Sequence, residues 1–166
     1  RLTADSLAGV LPTIRSRCVS FAIAPVSPAA CARYCTAHGV DKKTAALYSE
    51  LFDGHIGTVL TAARDKARTE QVDKAMELAR AAQAGDSYTA AVLLAPYEKD
   101  KAGAAALLRD LRAVAAAGLQ GSPHAPVQGQ QAQRTLRLAE AAIQRLGAQV
   151  NPKIVLTVFA ARLAHA

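Results

Sequence analysis

The stretch LPTIRSRCVSF, residues 11–21, places Arg15 and Arg17 on either side of Ser16, with Cys18 directly after. A guanidinium in this setting has two uses. It can end a helix, where a cation complements the negative end of the macrodipole. It can also stabilise the negative charge that builds on a γ-phosphoryl group in transfer, a role that one subunit can fill for its neighbour and that is worth about 10³ to 10⁵ in rate. Composition does not choose between them.

Cys31, Cys35 and His38 follow at spacings of four and three, which places all three on one face of a helix, and with Cys18 as a distant fourth they have the donor types of a metal site. Zinc sites usually draw ligand pairs from turns, and cysteine at helical spacing also serves as a small buried apolar residue. The second is the simpler expectation. His55, in DGHIG, lies in a turn close to Asp53, so Cys18, His55 and Asp53 have the residue types of a Cys/His/Asp triad, yet nothing in the sequence brings them together. A surface turn histidine is the plainer reading. His124 in a loop and His165 at the end of the chain carry less information still. No GxxxxGK[ST] P-loop, no strand-turn-helix GxGxxG and no HExxH is present in the sequence.

The elements that must position these groups read as mostly α. In 166 residues the apolar share is 51%, rich in alanine, while aromatics are 4% and Trp is absent, which favours closely packed helices over a sandwich of large side chains. The length allows one domain or two small ones. A formal charge of +7 tolerates phosphate-rich partners. However, the basic residues alternate with acidic ones, as in RDKARTEQVDKAMELAR (64–80), and this reads first as a solvated helix face. Three cysteines and an opening without a charged-then-apolar leader pattern fit a reducing, cytoplasmic setting. Runs such as IVLTVFAA (154–161) are shorter than the roughly 20 residues that cross a bilayer.

The chain opens without Met and inside what reads as an element, so a C-terminal piece of a longer protein is expected. Val19, Phe21 and Ile23 alternate with smaller residues up to Pro25 and predict one short strand, whose sheet neighbours would lie outside the sequence. Ser27 and Pro28 predict a helix start, with the helix running to about His38 before Gly39. A second helix after Asp41 carries Ala45, Leu47, Tyr48, Leu51 and Phe52, and a third, after a turn at Gly54, carries Val59, Leu60 and Ala63. From Lys66 the helices lengthen: Val72, Ala75, Met76 and Ala79 form one stripe, and Gly85 and Pro96 interrupt. Leu107, Leu108, Leu111, Val114 and Ala115 form the next stripe. QGSPHAPVQGQ (120–130) is expected to be a mobile loop unable to pack a core. A helix with Leu136, Leu138, Ala139, Ala142, Ile143 and Leu146 follows, then one opened by Asn151 and Pro152.

VLPTIRSRC (10–18) resembles the Ser-Arg-Cys segment that ends the nucleotide-binding domain of clamp-loader AAA+ subunits. FAIAPVSPAACARYC (21–35) looks like the strand, turn and first lid helix that follow it; LYSELFDGHIGTVLTAA (47–63) is similar to the lid motif; and AEAAIQRLGAQVNPKIVLTVFAARLA (139–164) looks like the last two collar helices. The likeness spans nearly the whole chain and is weakest over 66–109. It implies a remnant of an AAA+ α/β core (1–26), a three-helix lid (27–66) and a helical-bundle collar for oligomerisation (67–166). Hydrolysing subunits carry a lid arginine where this chain has Gly57, so the resemblance is to the type that acts on a neighbour. It implies Arg17 as an arginine finger in trans, supported by Ser16, with no cofactor held by these residues and ATP with Mg on the adjacent subunit. The implied partners are gamma/tau and delta type subunits through the collar, and the sliding clamp and primed DNA through the complex. The family's GGS appears as Asp53-Gly54-His55, and the loop 120–130 is longer than the family requires. An ATP-hydrolysing gamma/tau-type subunit and a basic helical DNA-binding or scaffold module are the alternatives.

Overall fold

Helix starts are written in the chain by residues that satisfy the free amides of the first turn. In the computed structural model, which describes residues 3–4, 9–24, 26–148 and 150–164, the Ser27 hydroxyl accepts from the Ala30 amide and Pro28 takes the first position of a helix. The Asp41 carboxylate accepts from the amides of Lys43 and Thr44, and the Asn151 amide oxygen from that of Lys153. Gly85, at φ 68°, closes another helix in the left-handed conformation that glycine adopts without cost from a Cβ.

Nine α-helices result among the described residues: α1 (Pro12–Arg15), α2 (Pro28–Ala37), α3 (Lys42–Leu51), α4 (Ile56–Arg64), α5 (Lys66–Ala84), α6 (Ser87–Leu94), α7 (Lys101–Leu119), α8 (Gly129–Gly147) and α9 (Pro152–Ala164). A 3-10 turn, Ala95–Tyr97, sits where Pro96 removes a backbone donor after α6. Helices α2, α3 and α4 pack on one another. Helix α5 then lies against α4, α6 and α7; α7 pairs with α8 along its length, and α9 packs on α6 and α8.

Small side chains let these helices approach closely. Ala45, Ala62, Ala75, Ala79, Ala104 and Ala139 are completely buried, and the same core holds the buried leucines Leu78, Leu107, Leu108, Leu111 and Leu146. Each such leucine contributes about 1.5–3 kcal/mol relative to exposure. The stripe read on α7 is covered entirely within the chain, whereas Leu136, Leu138 and Ile143 on α8 are only partly buried. The three-helix unit and the longer helices share one continuous apolar core.

Two expectations are corrected. Residues 19–24 form no strand: Val19, Phe21 and Ile23 are 82%, 85% and 96% exposed, because a single alternating segment has no ladder partner among the described residues. Pro25, which was to end that strand, lies outside the described residues, as does His165. The segment 120–130 is not a loose loop. Val127 is completely buried and Ala125 nearly so, the Gln128 amide donates to the Gln83 side chain at 2.9 Å, and the Val127 carbonyl lies against Gly118 of α7 so closely that a Cβ there would sit 1.9 Å from its oxygen. Glycine in the last turn of α7 is what lets the segment cross.

Among the described residues no helix is long and apolar enough to cross a membrane.

Candidate functional site

Arg17 is set by a single turn of helix. Pro12, with its fixed φ, opens α1; the Ser16 amide donates to the Pro12 carbonyl at 3.0 Å, the Ser16 hydroxyl to the Thr13 carbonyl at 3.2 Å, and the Arg17 amide to the Ile14 carbonyl at 3.1 Å. Ser16 therefore closes the turn with both its backbone and its side chain. Arg15 and Arg17 leave this turn into solvent, and neither guanidinium meets an acidic side chain or a carbonyl among the described residues. A shallow cleft beside the turn is lined by Pro12, Arg15, Ser16 and Ser20, and Arg17 stands outside it. Cys18 is exposed.

The four potential metal ligands are not assembled. Cys31 and Cys35 face inward from α2 and are completely buried, and burial, with the neighbouring Cys31 thiol, pushes the Cys35 thiol up from its ordinary pKa. His38 lies at the exposed end of the helix, where its ring stacks on Tyr34 at 4.0 Å and its Nδ1 is 2.8 Å from the Tyr34 carbonyl. Its own carbonyl accepts from Arg64 of α4. The helix turns His38 away from the cysteines because the chain is already leaving α2 there. No group of three metal-ligating side chains comes together among the described residues.

His55 and Asp53 sit in the exposed turn between α3 and α4, with Asp53 at φ 47° and Gly54 at φ 73°. Gly54 is required: a Cβ would overlap the Val26 carbonyl, which crosses the turn. The imidazole of His55 makes no capping bond to α4, and the exposed Cys18 adds no third member. Gly57 is exposed in the first turn of α4. His124 donates its backbone amide to the Ser122 hydroxyl.

The polar groups that the structure does assemble were not visible in the sequence. Asp110 of α7 is nearly buried and accepts from both terminal guanidinium nitrogens of Arg68 and, at 2.8 Å, from the Gln71 amide. The hydrogen bonds that Arg68 donates to the Asp110 carboxylate are the main reason its guanidinium is held protonated even more firmly than usual. The same guanidinium stands 5.6 Å from the centre of the Phe52 ring. Nearby, the Ser122 hydroxyl donates to Glu50 of α3. The bonds to Asp110 join α5 to α7, while the Phe52 contact ties the three-helix unit to α5 and the Ser122–Glu50 bond ties it to the segment after α7. Separations of 42 and 72 residues leave no local spacing by which they could be read.

No family model matches the chain, and neither the curated proteins nor the solved structures provide a match.

Proposed function

We propose that the chain is a clamp-loader AAA+ subunit of the delta-prime type, working within bacterial DNA polymerase III in the ATP-dependent loading of the sliding clamp on primed DNA. In this reading residues 1–26 end the nucleotide-binding core, α2–α4 form the lid and α5–α9 the collar. The observation that carries it is Arg17 itself: an arginine in a Ser-Arg-Cys segment, exposed, without a partner among the described residues, at the end of a turn closed by Ser16.

Arg17 would extend to the γ-phosphate of ATP with Mg held by a gamma/tau-type neighbour. A guanidinium there stabilises charge on the transferring group by electrostatics and hydrogen bonds and takes no proton. The chain itself is then not catalytic; it completes a neighbour's site. Two exposed apolar pairs support a role in assembly. Tyr88 and Val92 on α6, and Ile154 and Val158 on α9, recur at a spacing of four on helices that pack against each other, and helices apolar on more than one face are normally covered. Gamma/tau and delta type collars would cover them.

The test is Arg17→Ala in the assembled complex. ATP turnover stimulated by DNA and clamp is expected to fall at least about tenfold, with assembly by size-exclusion chromatography unchanged. Unchanged turnover would sink the assignment of Arg17.

A further inference from the structure

The turn between α3 and α4 faces helices α7 and α8 across a groove of about 520 Å³, within the size range of ligand-binding clefts. Its floor is small and apolar: Ala113 and Ala116 are only partly buried, and the Phe52 and Leu136 side chains flank them. Small floor residues between larger walls leave a trough that takes a bulky apolar side chain.

The charge at the rim is opposite to that of the molecule. Glu50, Asp53 and Glu140 line the groove against one arginine, Arg112, in a chain whose formal charge is +7. Arg112 is 3.8 Å from Glu140, with both side chains about half exposed. Glu50 is held in place by the Ser122 hydroxyl. The Asp53 carboxylate has no hydrogen-bond or ionic partner among the described residues, and the left-handed φ of 47° at this residue fixes the turn that carries it. An acidic rim around an apolar trough repels phosphate and attracts cations.

We propose that this groove docks a short segment of a partner protein that carries one large apolar side chain flanked by lysine or arginine. The apolar group fills the trough over Ala113 and Ala116, and the flanking cations face Asp53 and Glu140. Charge complementarity selects the partner, and apolar burial supplies most of the affinity. This surface is separate from Arg17, so failure of either assignment leaves the other standing.

The absence of Trp from the chain makes the test direct. A short probe peptide with a central tryptophan between lysines is titrated with the protein, and its emission, excited selectively, reports the probe alone. A saturable blue shift is expected, weakened by salt. Asp53→Asn, tolerated at positive φ, and Glu140→Gln should each lower the affinity roughly threefold, as expected for exposed charge pairs. Ala116→Phe should abolish binding by filling the trough. If that variant fails to fold, the two carboxylate variants, both at exposed positions, decide the matter. The assignment is overturned if there is no saturable shift, if a glutamate-flanked version of the probe binds equally, or if the carboxylate variants bind as tightly as the parent.

Discussion

Replacing Arg68 with Met tests what holds α5 to α7, at a point where the Phe52 ring of the three-helix unit meets the same guanidinium. The Asp110 side chain is 7% exposed and that of Arg68 25%. Methionine keeps an apolar stem beside Phe52 but leaves a buried carboxylate with the Gln71 amide as its one remaining side-chain donor. Removing one member of a buried pair costs about 3–5 kcal/mol. The partial exposure of Arg68 and the surviving Gln71 bond lower this to roughly 2–3 kcal/mol, a large share of the 5–15 kcal/mol that stabilises a typical domain. Arg68→Met combined with Asp110→Leu removes the uncompensated charge and should return stability to within about 1 kcal/mol of the parent chain. Urea unfolding followed by far-UV circular dichroism gives these differences from the midpoints and slopes. A single variant within about 0.5 kcal/mol of the parent, or a double variant as costly as the sum of the singles, would refute the account.

Gly118→Ala should destabilise the chain by about 1–3 kcal/mol and make residues 120–128 more susceptible to proteolysis, because the new methyl group meets the Val127 carbonyl. With a thiol-reactive chromophore the native chain should release one equivalent quickly, from exposed Cys18, and two more only on unfolding; rapid reaction of all three would show that α2 is not packed as described. The Asp41 carboxyl is held below its usual range first by the Thr44 amide, and Asp86 by the Thr89 hydroxyl and then its amide. A depressed folded-state pKa gives stability that is present above the ordinary carboxylate range and lost as pH falls through the folded value. Acid should therefore loosen α3 and α6, and Asp41→Asn, which keeps a capping oxygen, should remove the part of that dependence due to Asp41 in unfolding measured across the acidic range.

What could be read from the sequence was local. Ser27 with Pro28, Asp41, and Asn151 with Pro152 mark helix starts through bonds that reach two or three residues, and the stripe from Leu107 to Ala115 repeats within one helix. The segment around Phe21 misled because alternation describes a strand only when another strand is available to pair with it. Polar composition likewise hid the packing of residues 120–130; the one clue was Gly118, a glycine in an otherwise alanine- and leucine-rich helix, where a close backbone approach is one reason for such a choice. Cys31 and Cys35 were legible as buried residues from residue type and helical spacing together, although the same spacing also fitted a metal site. The chemistry of Arg17 is readable only as residue type, exposure and lack of a partner, since the group it would serve belongs to another molecule.

Asp65 is at once the last cap of α4 and the first cap of α5, so one residue joins the three-helix unit to a rod of 19 residues. At 1.5 Å per residue that rod is about 28 Å long, and a tilt of about 10° at the joint would carry its far end about 5 Å. Asp65 thus stands where the fulcrum of such a lever would be, with the Arg68–Asp110 pair one turn beyond it. Any swing of α5 away from α7 must break that pair together with the apolar packing between the two helices.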